Sequence, residues 1–262
     1  MTLDFRNIGI RGIDKIDKLC SNEKINELTV YNLDIHKVSK IRHTFSGLPK
    51  ITSIRIVDAN IRDVEILSKL FYYLKYLEEI DFSKSNLSNI EDMSELFIGC
   101  ESLVKIGFGN IDTSRVMNMR AMFHDNCNIK NLDLRKFNTS NTLNMSCMFY
   151  RCESLERLSI ENFDTANVKQ MSLMFYSCKS LHTLDLSHFN TTNVIDMHAM
   201  FNKCDGLERL NISSFTVTED TNTISMFRGC DKLKEVTLPV DRESRDILYN
   251  RLKEDGIHCK IV

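Results

Sequence analysis

Apolar positions along this chain keep one period almost from end to end. Phenylalanines stand at 97, 123, 149, 175, 201 and 227, every step being 26 residues, and the series runs back through Phe71, Phe45 and Leu19. Nine apolar anchors therefore share one register, with no insertion or deletion between them. The pattern M-x-x-M-F ends on four of them, at Met119–Phe123, Met145–Phe149, Met171–Phe175 and Met197–Phe201. A fixed period of about 20–50 residues marks a stacked-repeat architecture.

Within one unit the pattern changes character. Leu181, Leu184 and Leu186 give L-x-x-L-x-L, and the last two alternate with Thr183, Asp185 and Ser187, the period of a half-buried strand of about three to five residues. Phe189 follows and recurs as Phe137, Phe163 and Phe215, amid Asn, Thr and Ser that favour turns and helix N-caps. Val194, Met197, Met200 and Phe201 then fall at helical spacing and predict a short helix. The fold class expected is α/β: a leucine-rich-repeat solenoid of about nine 26-residue units, with a parallel sheet on one face, short helices on the other, and end caps. At about 4.8 Å per strand the stack would be roughly 40 Å long.

The ends depart from the period. Residues 1–18 hold apolar residues without the full repeat and are expected to form a degenerate cap before a solenoid over 19–238. In 239–262, Ile247, Leu248 and Leu252 fall at helical spacing, Gly256 is a helix stop, and I-H-C-K-I-V is a last strand, predicting a helix–strand cap. The free edge of that strand is a route to a homo-oligomer.

Ten of the twelve methionines occupy the two positions around the anchor phenylalanine, where a flexible thioether beside an aromatic ring packs well. Cys100, Cys152, Cys178, Cys204 and Cys230 lie three residues after their anchors, and Cys127 is displaced by one. In a stack they form a ladder with neighbours about 5 Å apart. That ladder is compatible with buried thiols, with disulfides or with a shared metal. A straight ladder does not converge on a tetrahedral point, so buried thiols are the preferred reading, with no metal and no cofactor.

The unit M-x-x-M-F-x-x-C-x-S-L-x-x-L-D-L-S-x-F-N-T-S-N-V resembles the 26-residue "bacterial surface protein" repeat, related to the BspA-type leucine-rich repeats. The likeness is strong from about Ile90 to Leu238. From Leu19 to Asn89 the apolar skeleton alone carries it, as in F-S-G-L-P-K-I-T-S-I-R-I-V. The resemblance implies an adhesion or protein-binding module in which no motif residue is catalytic.

Net charge is −2, so no basic field argues for nucleic acid or a membrane surface. No window approaches the roughly 18 consecutive apolar residues of a membrane span. The N-terminus lacks a secretory pattern, and nine cysteines are an odd number. A reduced, cytoplasmic setting is the expectation, with a secreted or surface location as the alternative. Two prolines and nine glycines argue against flexible linkers.

No phosphate loop, nucleophile elbow or zinc-protease motif is present, and the seven histidines fall at different repeat offsets. His182, His188 and His198 are near in sequence but belong to strand, turn and helix. The chain is expected not to be an enzyme. Sheet faces of solenoids commonly take partners, and the outward strand positions mark candidate partner-binding residues: Lys105, Asp133, Arg135, Arg157, Glu161, Asp185 and Arg209. Mixed charges of this kind also occur on ordinary solvated surface, and Asp185 belongs to the repeated L-D-L-S text. Few aromatics fall on this face, which opposes stacking of single-stranded nucleic acid. The function expected is a scaffold for a protein partner. The alternatives are a surface or secreted adhesin or effector-like protein and, third, a thiol or metal protein.

Overall fold

A computed structural model describes residues 2–6, 26–31, 45, 50–60 and 66–262. The Leu19 anchor and most of 1–18 lie outside the described residues.

The elements are strands β1 (Thr2–Arg6), β2 (Glu27–Tyr31), β3 (Ser53–Asn60), β4 (Glu79–Leu87), β5 (Lys105–Gly107), β6 (Asn110–Ile111), β7 (Asn131–Asp133), β8 (Arg157–Ser159), β9 (Thr183–Asp185), β10 (Arg209–Asn211) and β11 (Glu235–Thr237), then helix α1 (Arg242–Glu254) and β12 (Lys260–Ile261). Every pairing is parallel, and from β2 onward the main strands begin 26 residues apart, as in Arg209↔Glu235 and Arg209↔Thr183. The chain is a parallel solenoid of leucine-rich-repeat type. Its strands pair in three groups: β1 to β5 with β6 on β4, β7 with β8, and β9 to β12. β12 pairs with β11 and has no second strand neighbour among the described residues.

The opposite face differs from the expected row of helices: among the described residues, no helix occurs in any repeat. M-x-x-M-F instead folds as a run of turns whose N–H groups point alternately along the chain and across coils. Met119, Ala121, Phe123 and Asp125 donate to the carbonyls of Asn144, Ser146, Met148 and Tyr150 in the next coil, at 2.8–2.9 Å. Met122, His124 and Asn126 donate three residues back, at 3.2–3.3 Å. A helix would satisfy these donors within itself and leave successive coils unjoined. The path requires a left-handed residue two before each anchor, seen as φ of 53° at Ala121, 57° at Cys147, 58° at Leu173 and 50° at Ala199. Such a residue costs roughly 1–2 kcal/mol and cannot sit in a right-handed helix; the inter-coil bonds offset it. Beside these turns an unbroken series of bridges links Ile66, Asp92, Asn118, Asn144, Gln170, Asp196 and Asn222.

The core is the space between the two faces. Phe45, Phe71, Phe97, Phe123, Phe149, Phe175, Phe201 and Phe227 form one stack, with centroids 5.4–5.9 Å apart and planes within 18° of each other. All are fully buried, and the methionines on either side are too. Cys100, Cys152, Cys178, Cys204 and Cys230 each place Sγ 3.0–3.1 Å from the carbonyl of the anchor phenylalanine in the preceding coil. Position 126 in this ladder is Asn, whose Nδ2 makes the same bond to Phe97 O at 2.9 Å. Its Oδ1 is buried without a partner.

Asp and Asn turn the coil at three corners by accepting the N–H two residues on. Asp133, Asp185 and Asn211 act at the strand end, Asp112, Asn138, Asp164 and Asn190 at the second corner, and Asp92, Asn118, Asn144, Asp196 and Asn222 at the third. Buried threonines knit the second corner across coils. Thr165 Oγ1 donates to Asn190 O at 2.9 Å and accepts from Asn190 N at 2.8 Å, and Thr113 and Thr191 do the same one coil on.

At the C-terminal end, Asp241 caps α1 by accepting the Ser244 N–H at 2.9 Å, and Leu248 and Leu252 pack into the core. Phe201 donates its N–H to the next coil; Phe227 lacks a next coil and donates to Asp255 Oδ2 at 2.8 Å.

Candidate partner-binding face

Each strand of the regular coils points its middle residue inward: Ile106, Leu132, Leu158, Leu184, Leu210 and Val236 belong to the core or pack against it. The flanking residues point outward because a strand alternates. All seven candidate residues are exposed on this side. Lys105, Arg157 and Arg209 open β5, β8 and β10; Asp133 and Asp185 close β7 and β9; Arg135 and Glu161 follow two residues beyond β7 and β8. They span all three groups of paired strands.

Their neighbours divide them. Asp133 and Asp185 are occupied locally, each accepting the N–H two residues on, at 3.1 and 2.9 Å. Arg135 also grips Asp133, Nε to Oδ1 at 2.9 Å and Nη2 to Oδ2 at 2.5 Å. That two-point contact, then the Arg135 N–H, lowers the Asp133 carboxyl to about 2. The Ser187 backbone and side chain likewise hold Asp185 below its ordinary value. Lys105 lies 3.5 Å from Glu79, its register partner on β4. Lys130 meets Glu156, Lys234 meets Glu208, and Lys260 meets Glu235 in the same inter-coil manner. Among the described residues, Arg157, Arg209 and Glu161 have no ion-pair partner within 4 Å. The arrangement thus leaves two guanidinium groups at one strand position, two coils apart, with Thr183 between them.

Two surface features of the turn face escaped the sequence reading. His124, Tyr150 and Tyr176 stack at 4.3 and 4.6 Å, and Lys203 lies over the end of the stack, 5.6 Å from the Tyr176 ring. Tyr150 and Tyr176 standing 26 residues apart was the available signal. Met117, Leu143 and Ile195 form an exposed row at 26- and 52-residue steps, signalled by Met117 lying outside the methionine positions of the core.

The five ladder thiols are buried, and burial pushes them up, Cys100 and Cys204 to about 12. Each already has a carbonyl to donate to. Among the described residues, all eight cysteines are free thiols, and no group of three or more His, Cys, Asp or Glu side chains is placed to hold a metal. No helix among them is long and apolar enough to cross a membrane.

Fold and face together define a leucine-rich-repeat solenoid with a varied strand surface. The chain belongs to the family described as "Mycoplasma protein of unknown function, DUF285", which matches residues 14–126, 65–159 and 155–240. No curated protein matches it. Among solved structures it is similar to a chain of the TLR13–ssRNA13 complex, with 14% identity and a TM-score of 0.36, over 90% of this chain and 40% of that one. It is also similar to a chain of an octameric complex of Latrophilin 3, Unc5D and the FLRT2 leucine-rich repeats, with 16% identity and a TM-score of 0.43, over 100% of this chain and 83% of that one.

Proposed function

We propose that this protein is a non-catalytic binding module that takes a protein partner on its strand face. The observation that carries the reading is a contrast within each strand. Inward positions repeat one chemistry, Ile or Leu from Ile106 to Leu210, while the position before each runs Lys105, Asn131, Arg157, Thr183, Arg209. The ladder needs only backbone at those outward positions. Their divergence on a rigid, extended frame is what recognition of one partner uses. The resemblance of F-N-T-T-N-V (189–194) and its counterparts to BspA-type repeats supports a binding role.

The test is crosslinking capture from the native source with wild type, Arg157→Glu/Arg209→Glu and, as a control on the opposite face, Lys169→Glu, all first shown to fold. A partner held by wild type and the control but lost by the double variant is the expected result. A partner held equally by all three overturns the assignment to this face.

A further inference from the structure

The partner's chemistry can be narrowed, on the premise that the strand face is the binding face. We infer that the occupant is an acidic helix lying across the strands, presenting two carboxylates to Arg157 and Arg209.

Charge selects an acid. Lys105 and Lys260, at the same strand position near the two ends of the row, meet Glu79 and Glu235, whereas among the described residues Arg157 has no ion-pair partner within 4 Å, nor does Arg209, whose register partner Glu235 is engaged by Lys260. Both are exposed, and the exposed position between them is the short Thr183. A guanidinium in this state offers its planar fork of donors to a carboxylate.

Spacing selects the form. The arginines stand two coils apart, and over those two coils the phenylalanine stack advances 5.5 and 5.8 Å, which puts their strand positions about 11 Å apart. On a helix, residues seven apart share one side and lie about 10.5 Å apart. In an extended strand, same-side residues lie about 6.7 or 13 Å apart, and neither matches. A polyproline segment repeats its side every third residue, at about 9.3 Å, but brings unpaired backbone N–H and C=O groups against a face of side chains. A helix satisfies those groups internally.

The probe is a fluorescein-labelled alanine-based helical peptide with glutamates seven residues apart, followed by anisotropy. Controls are the same peptide with glutamates four apart, at about 6 Å, and with lysine in their place. Wild type is expected to bind the first peptide about tenfold more tightly than Arg157→Glu/Arg209→Glu does, with Arg157→Gln/Arg209→Gln between them. The affinity should fall several-fold between about 20 and 200 mM salt, as screening requires. The four-apart peptide should bind more weakly and the lysine peptide not at all. No binding of the first peptide, equal binding by the double variant, or equal binding of the lysine peptide overturns the inference. If those arms fail while capture of the native partner is still lost in the double variant, the acidic helix falls and the strand-face reading stands. If capture also survives the double variant, both fall.

Discussion

The strand face and the turn face are built by the same period, yet they differ in what the period fixes. On the strand face the ladder is short and interrupted, with no strand pairing between β5 and β7 or between β8 and β9. On the turn face the bridges run without a break from Ile66 to Asn222, with the phenylalanine stack and the thiol ladder directly behind them. The turn face therefore holds the coils together, and the strand face is left comparatively free to vary. Recognition and stability are separated onto opposite sides of one coil.

The largest test of that division is alkaline unfolding. Five ladder thiols are buried at 0–2% exposure, and burial raises each of them. In the unfolded chain a thiol ionises near pH 8.5. The folded state therefore retains protons that the unfolded state releases, so stability is complete below that pH and declines as pH rises toward the folded values near 12. Above about pH 9.5 each thiol should remove roughly 1.4 kcal/mol per pH unit, and the five act together. Urea midpoints from pH 7 to 10 will show it. A variant with Cys152, Cys178 and Cys204 replaced by Ala should lose most of the slope, and an unchanged slope would mean that the ladder is not the cause.

Next is the stack itself. Phe149→Ala removes a fully buried ring that faces Phe123 and Phe175 at 5.8 and 5.5 Å, and should cost about 3–5 kcal/mol. Thr183→Ala, exposed on the strand face, should change stability by less than about 0.5 kcal/mol. Denaturant unfolding of the two variants compares the faces directly. Similar losses from both would break the division.

Smaller still is Thr165→Val, which keeps the shape but removes the hydroxyl that joins two coils. It leaves Asn190 N and O without that partner and should cost about 1–3 kcal/mol in the same assay.

These experiments also mark where the sequence was legible. The 26-residue register, the inward leucines and the buried methionines could be read because each depends on the identity of a side chain. The helix expected at M-x-x-M-F could not be corrected from sequence. Spacings of three, three and one fit both a helical turn and a tight path through left-handed residues. Nothing signposts those residues, which are Ala121, Cys147, Leu173 and Ala199 rather than glycine. On the candidate face, the outward positions followed from alternation, and the role of Asp185 in a turn was foreshadowed by L-D-L-S. Which cations are neutralised was harder to see, because it depends on how each long side chain reaches the next coil. Cys127 was visibly displaced by one, but displacement alone did not reveal that Asn126 had taken the vacated rung.

That rung gives a repair experiment. Asn126 sits 26 residues after Cys100 and 26 before Cys152, at 0% exposure. It keeps the bond to Phe97 O but strands Oδ1 in the core, and a thiol there would donate to the same carbonyl with no orphan acceptor. Asn126→Cys should therefore stabilise the fold by about 1 kcal/mol in denaturant unfolding. A loss of stability would show that the neighbouring Cys127 and His124 have adjusted to Asn and that the ladder is not interchangeable rung by rung.

The smallest expected effect concerns the arginines. Neither Arg157 nor Arg209 supports a neighbouring coil through an ion pair, and both stand on strands whose inward leucines do the packing. Arg157→Gln/Arg209→Gln should leave the thermal midpoint where it was; glutamine is the substitution for this test because glutamate at 209 would face Glu235 across the ladder. A clear fall would mean that the guanidinium groups help hold the strand groups together, which would return part of the stability to the face assigned to recognition. An unchanged midpoint alongside weakened binding would separate the two faces as the ladders do: one side repeats because the coils must join, and the other varies because they need not.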